Sequence, residues 1–227
     1  SVLERYGLGA ETEELYPFEL SGGMARRVLI STAVMETPRL VLRHWHESDL
    51  EDFLAFAADP AVMLDSGARP ATTFEEEQTF FRRALWDSGC YAIVLKETGR
   101  PIGKIKFQKD IRRPKGNSLS IGYELARAYW GRGYMTEALA AMVRCAFERK
   151  HVDVLAIGHF QGNHRSRRVI EKCGFQYEGT IRQGFRRYDG QVFDDVCYSI
   201  LKEEYFAHPQ RFQPQAEKIP KDFEKEG

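Results

Sequence analysis

The residues Ile121-Gly-Tyr-Glu-Leu-Ala-Arg-Ala-Tyr-Trp-Gly-Arg-Gly-Tyr-Met-Thr-Glu-Ala138 decide how this chain is read. They run from a strand signal, through two glycines around Arg132, into a helix signal. From about residue 134 to 149, Ala138, Ala141, Met142, Cys145 and Ala146 share one stripe, which Leu139, Val143 and Phe147 widen. Such a helix packs against a sheet. Glycines where a strand feeds a helix let backbone N–H groups approach an anion, and the helix N-terminus supplies partial positive charge. A pyrophosphate suits that turn. The pattern lacks the third glycine of a dinucleotide fingerprint, however, and a plain helix start is the other reading.

Strand and helix signals alternate on both sides of this stretch. Upstream, residues 39–45 fit a strand. Ser48-Asp-Leu-Glu51 is a capping box opening a helix that Pro60 stops, and Thr73-Phe-Glu-Glu76 opens another, with Phe81 and Leu85 on one side. Residues 90–96 and 102–107 read as strands joined by a turn at residues 98–101, followed by a strand over 118–125. Downstream come a strand at 152–157, a helix over 163–173 ended by Gly174, and strands at 175–181 and 192–201. The order β-α-α-β-β-β-α-β-α-β-β predicts a layered α/β (α+β) domain. A polar tail carrying Pro209, Pro214 and Pro220 is expected to fray from about Ala207.

Composition narrows the function classes. Over 227 residues, 33 Lys+Arg balance 33 Asp+Glu, which argues against wholesale binding to nucleic acid or a membrane surface. A chain this long buries roughly 70% of its unfolded surface, so it needs no disulfide or metal to fold. No apolar run approaches the roughly 18 residues of a spanning helix, and no basic-then-apolar leader opens the sequence. Cys90, Cys145, Cys173 and Cys197 lie far apart without metal-ligand spacing, the pattern of reduced thiols in a cytoplasmic protein. One local excess stands out: Arg100, Lys104, Lys106, Lys109, Arg112, Arg113 and Lys115 surround only Asp110. It reads either as a guide for an acidic protein or RNA surface, or as a solvated strand edge.

A second motif follows about thirty residues after the glycines: Asn163-His-Arg-Ser166, leading to Glu171-Lys-Cys-Gly-Phe175. Three residues apart, Asn163 and Ser166 share a helical face, while Asn163 also reads as an N-cap and Ser166 as an exposed hydroxyl. Together with Trp130-Gly-Arg-Gly-Tyr-Met-Thr-Glu-Ala138, this resembles the GNAT acetyltransferase superfamily. Glu36-Thr-Pro-Arg-Leu-Val-Leu-Arg43 and Glu178-Gly179 are similar to its RimJ/RimL-like branch, the ribosomal-protein N-terminal acetyltransferases and their relatives. The resemblance covers roughly residues 36–205. It implies a bent mixed sheet with helices on both faces, splayed between its fourth and fifth strands, with acetyl-CoA in the splay. It also implies an N-acetyltransferase acting on a protein N-terminus or a small amine, and a homodimer, common in that branch.

Carried onto this sequence, the resemblance places the pyrophosphate loop on Trp130, Gly131, Arg132, Gly133 and Tyr134. The family often has Gln or Arg where Ala128 stands, which weakens one contact and not the assignment. Asn163 matches the residue that binds the pantetheine arm, and Ser166 the hydroxyl near the thioester sulfur. Arg165, Arg167 and Arg168 read as 3′-phosphate ligands or as a solvated face. An attacking amine must be neutral, so a base or water must take its proton. The developing oxyanion needs a backbone N–H, which a splayed strand offers. Glu124 matches a place where some members carry a catalytic carboxylate. His159, with an ordinary pKa near 6.5, is the competing base, and either also reads as a surface polar group.

Residues 1–35 do not fit this pattern. Tyr16-Pro-Phe-Glu-Leu-Ser-Gly-Gly-Met24 and its continuation to Ala33 resemble the signature region of an ABC-transporter ATPase, but no phosphate-binding Walker loop accompanies it. The expectation is a helical remnant over 1–35, an acetyltransferase domain over 36–205 and a polar tail over 206–227. A non-catalytic acyl-CoA-binding or ATPase-docking module is the alternative reading.

Overall fold

The computed structural model describes residues 35–212, so the transporter-like stretch of residues 16–33 lies outside the described residues. In chain order the elements are β1 (Met35–Glu36), β2 (Leu40–Arg43), α1 (Leu50–Ala57), α2 (Pro60–Ser66), α3 (Phe74–Trp86), β3 (Cys90–Leu95), β4 (Pro101–Lys109) and β5 (Ser118–Leu125). Then follow α4 (Tyr134–Arg144), β6 (Val154–Phe160), α5 (His164–Lys172), β7 (Gln176–Arg186), β8 (Val192–Leu201) and α6 (Lys202–Ala207). All strands join one sheet in the order β1-β2-β3-β4-β5-β6-β8-β7. Neighbours run antiparallel except β5 and β6, which are parallel.

Side-chain alternation along the strands builds two cores. On β3, Cys90, Ala92 and Val94 face Trp45, Phe53, Phe56, Val62 and Phe81, so α1, α2 and α3 cover that side. Tyr91, Ile93 and Leu95 face the opposite way, toward Leu139, Met142 and Phe147 of α4 and the turn after it. Truncating a buried phenylalanine costs about 3–5 kcal/mol, a large share of the roughly 5–15 kcal/mol of a whole domain. Neither layer is dispensable. The expected α/β sheet with helices on both faces is the fold observed.

The expected splay lies between β5 and β6. They pair only at Ser118↔Val154, Leu119↔Leu155 and Ser120↔Ala156. Beyond those positions β5 stays on β4 as far as Leu125, and β6 stays on β8 as far as Phe160. Each inner edge therefore loses its neighbour along residues 121–125 and 157–160.

Several local expectations need correction. Pro60 starts a helix instead of stopping one: α1 has already ended at Ala57, and Pro60 is the first residue of α2. The Asp59 carboxylate caps α2 by accepting from Ala61 N at 2.9 Å, and proline suits the next position because its missing N–H has no helical partner anyway. Before α1, Asp49 rather than Ser48 organises the start, accepting from His46 N at 2.8 Å and binding Arg43. Thr73 does cap α3, but the Glu76 carboxylate turns to Thr72 and Arg69. Residues 207–212 stay on the domain, because Phe212 is buried against Gly174 with its ring 5.2 Å from that of Tyr205, while residues 213–227 of the expected tail lie outside the described residues. Four of the seven cations of the basic run are paired: Arg100 binds Asp52, Lys104 binds Glu124, Arg112 binds Asp195, and Arg113 binds Asp110 and Glu178.

One buried carboxylate fixes the start of α4. Glu137 accepts from Thr37 Oγ1, from Arg39 N at 2.7 Å and from Arg39 Nε at 2.7 Å. Burial opposes its ionisation, yet these hydrogen bonds win and hold its carboxyl below the usual range. Glu137→Ala should therefore lower stability by about 1–3 kcal/mol in urea unfolding. Because the folded-state pKa is depressed, the ion pair contributes fully above the ordinary carboxylate range and is lost as pH falls through the depressed value. The stability gap between wild type and variant should close on acidification.

Candidate active site

Where β5 and β6 part, a cleft of about 730 Å³ opens between the two strands, α2, α4 and α5. Its entrance to α4 is set by backbone shape. Gly131 and Gly133 both have φ of 76°, a left-handed conformation that residues with a Cβ rarely adopt. Gly133 is the N-cap of α4 and offers no capping side chain, so the first-turn N–H groups remain available to an anion.

The other loop residues do different work. The Trp130 indole N–H donates to Leu125 O at 2.7 Å, and the ring carries the Arg165 guanidinium 4.3 Å from its centroid. Arg165 also pairs with Asp65 at 3.3 Å. Tyr134 lines the cleft beneath the Arg39 guanidinium, at 4.5 Å. Arg132 is exposed and outside the cleft lining, its carbonyl accepting from Arg39 at 3.0 Å.

The three arginines of α5 separate by partner. Arg165 is held by Asp65, and Arg167 by Glu171 at 2.8 Å. Arg168 lines the cleft with no carboxylate partner among the described residues, and so does Lys172. Lys172 was missed in the sequence, although it stands four residues after Arg168 and so on the same helical face. These two cations and the uncapped start of α4 could hold the phosphates of a coenzyme A molecule.

Asn163 and Ser166 come together as their spacing implied. Asn163 Oδ1 accepts from Ser166 N at 3.0 Å, and its Nδ2 donates to Asp65 O at 2.8 Å. The residue is thus both a helix cap and a strut to α2. Ser166 Oγ lies 2.8 Å from the Tyr123 hydroxyl, a partner not singled out from the sequence. Burial pushes the Tyr123 phenol well above the ordinary tyrosine range.

The two candidate bases stand on opposite faces of the sheet. Glu124 points toward α1 and α2, with Oε2 3.0 Å from Lys104 Nζ, and that ammonium sits 5.5 Å from the Phe53 ring centroid. His159 points toward α5 and packs on Tyr198 at 5.7 Å. Its Nδ1 faces Phe160 O at 3.0 Å, while Nε2 is buried without a hydrogen-bond partner. Tyr123 and Ser166 share the His159 side. Among the described residues, no group of three or more His, Cys, Asp or Glu side chains could hold a metal ion.

A family model described as the acetyltransferase (GNAT) domain matches residues 39–176, more than half of the chain. This chain belongs to the GNAT acetyltransferase family. Among its relatives, the uncharacterized N-acetyltransferase YoaA of Bacillus subtilis is 29% identical over 174 residues, 74% of this chain and 97% of YoaA. The [ribosomal protein uS5]-alanine N-acetyltransferase of Escherichia coli is 26% identical over 104 residues, 46% of this chain and 53% of that enzyme. A solved spermidine N-acetyltransferase from Vibrio cholerae, in complex with CoA and spermine, shares the fold with a TM-score of 0.64. It is 17% identical and covers 75% of this chain and 99% of its own. The protein is therefore a GNAT-family N-acetyltransferase, related at low identity to ribosomal-protein acetyltransferases, and such enzymes use acetyl-CoA.

If the glycine turn receives the pyrophosphate, Gly133→Val should weaken acetyl-CoA binding at least tenfold in calorimetric titration while the variant stays folded. Arg168→Ala combined with Lys172→Ala should raise the acetyl-CoA KM several-fold at low salt, and less at high salt as screening grows.

Proposed function

We propose that this GNAT acetyltransferase, working within residues 36–205, moves the acetyl group of acetyl-CoA directly to a primary amine. The observation that carries the reading is the loss of β5–β6 pairing after Ser120↔Ala156, which leaves a strand edge for the donor to occupy. Gly131, Gly133, Arg168 and Lys172 hold its phosphates, and Asn163 meets the pantetheine arm. In the reaction the amine nitrogen attacks the thioester carbon, and the carbon–sulfur bond breaks with its electrons going to sulfur. An unpaired N–H on the inner edge of β5 stabilises the oxyanion.

The two faces of the sheet divide the remaining chemistry. Ser166 stands on the α5 side and stabilises the departing thiolate. Glu124 stands on the α1–α2 side, held by Lys104, and takes the proton of the attacking amine. His159 shares the Ser166 side, which favours Glu124 as the base.

Charge pairing supports a class of acceptor. The carboxylates lining the cleft are Asp65, Asp110, Glu124 and Asp195. Each already has an arginine or lysine: Arg165, Arg113, Lys104 and Arg112 respectively. A polyamine needs several unmatched carboxylates, whereas a single amine beside apolar surface needs none. Phe160 and Phe185, stacked at 5.4 Å, give the α2 side such a surface. We infer a monoamine, either the N-terminus of a protein, as the uS5-alanine relative suggests, or a small molecule. Residence in the cytoplasm agrees with four buried free cysteines.

Release of free thiol from acetyl-CoA tests this across peptides beginning with alanine or serine, small monoamines and spermidine. Peptides or monoamines should react fastest, and spermidine as the best substrate would overturn the acceptor class. No amine raising release above hydrolysis would overturn transfer itself. With the best acceptor, Glu124→Gln should lower kcat/KM by roughly 10²-fold or more, and His159→Gln by less than about threefold. Ser166→Ala should lower kcat by roughly 10–10³-fold with little change in acetyl-CoA affinity.

A further inference from the structure

The reading of Ser166 leaves one question of hydrogen placement. A serine hydroxyl can stabilise a thiolate only if its hydrogen points at sulfur. In the first turn of a helix that hydrogen has a competing use, because serine readily donates back to a carbonyl one turn earlier. Something must hold it outward.

We propose that Tyr123 is a positioning residue that donates its phenolic hydrogen to Ser166 Oγ and so directs the serine hydrogen toward the sulfur of bound CoA. The proposal rests on the reading of Ser166 as the group that stabilises the thiolate. The two oxygens lie 2.8 Å apart, a full hydrogen bond. Their positions alone allow either to donate. Acidity decides between them: a phenol is a far stronger acid than an alcohol, so it is the better donor, and the serine oxygen is the better acceptor. Burial also keeps the phenol protonated at any physiological pH, so its hydrogen is always present.

Both partners are held in place. Ser166 N is fixed by Asn163 Oδ1 at 3.0 Å, which sets where Cβ and Oγ leave α5. Tyr123 stands on β5, whose backbone is paired to Ile105 of β4, and its ring packs against the core beneath α4 and α5. The hydroxyl pair thus bridges the two walls of the cleft, strand on one side and helix on the other. Once Tyr123 occupies one lone pair of Ser166, the serine hydrogen is kept off the Tyr123 side, and Ser166 itself lines the cleft.

The step balances without moving a proton from either hydroxyl. The amine nitrogen gains the acyl carbon and loses its proton to the base, and the sulfur leaves with the electrons of the broken bond. Ser166 donates a hydrogen bond to that sulfur, and Tyr123 offsets the charge drawn onto Ser166 Oγ. Both remain neutral.

The acidity of bound CoA reports this arrangement without needing an acceptor. Thiolate absorbs in the ultraviolet, and the difference between CoA-loaded and free protein cancels the four cysteines. Ser166→Ala should raise the pKa of the bound thiol by about one unit, a tenfold loss of relative thiolate stability. Tyr123→Phe should produce at least half of that rise, with CoA affinity at neutral thiol changed less than about twofold. In the Ser166→Ala background, Tyr123→Phe should add nothing. A Tyr123→Phe rise of equal size in both backgrounds would show that the tyrosine acts on its own and would overturn the proposal. So would an unchanged thiol pKa in Tyr123→Phe beside a raised one in Ser166→Ala, and that result would leave the role of Ser166 standing. An unchanged pKa in Ser166→Ala would remove the thiolate role of Ser166 and the proposal with it. Tyr123→Met, which also lacks the donor, serves in the same comparison should the phenylalanine variant not fold.

Discussion

Everything at the site depends on a ladder that stops. Three parallel pairs join β5 to β6, and beyond Ser120 and Ala156 the two strands separate. A strand edge facing a cleft exposes N–H and C=O groups that would cost about 1–3 kcal/mol each if buried without a partner. The fold tolerates the opening because each strand keeps its outer neighbour throughout the opened stretch, β4 on one side and β8 on the other. Water or a bound ligand can then satisfy the inner edges. A parallel pair is the natural place for such a gap, since its two strands are joined by a helical crossover and not by a tight turn that would close them.

A short helix spans the gap. Asp59, the cap of α2, binds Arg127 at 3.2 Å, just after β5. At its other end, Asp65 takes Asn163 Nδ2 on its carbonyl and Arg165 on its carboxylate, just after β6. The helix thus grips the two diverging walls, one with each end. Exposed ion pairs contribute little singly, about 0–1 kcal/mol, so the buried part of α2 must carry most of the holding. Val62 and Met63 supply it by packing into the core on the α1–α3 face.

The sequence exposed the local parts of this design and concealed the paired ones. Gly131, Gly133, Asn163 and Ser166 were legible because a turn, a cap and a shared helical face are settled within a few residues. The strand and helix order was legible for the same reason, through periodicity. By contrast, Lys104 meets Glu124 only because the β4–β5 register sets Gly103 opposite Leu125, and nothing local announces that register. Tyr123 meets Ser166 only because α5 returns over β5 after a crossover. Among Arg165, Arg167 and Arg168, the pairing of Arg165 depends on the distant Asp65, whereas the partner of Arg167, Glu171, stands four residues on along the same helix and is legible locally. Likewise, nothing in the basic run beside Asp110 announces that Arg100, Lys104, Arg112 and Arg113 are paired, because Asp52, Glu124, Asp195 and Glu178 are far away in sequence.

The structural role of Asn163 leaves room for the binding role proposed for it. An asparagine amide offers two acceptor positions on oxygen and two donor hydrogens on nitrogen. Here Ser166 N takes one acceptor position, and Asp65 O takes one hydrogen. One of each remains on a residue that lines the cleft. That remainder matches a peptide-like amide, which presents one carbonyl and one N–H, and the pantetheine arm of coenzyme A carries two such groups. The cap and the strut lock the amide plane, so the unused donor and acceptor keep a fixed direction, as the proposed contact with pantetheine requires. Replacing it would therefore disturb both the wall of the cleft and what lies against it.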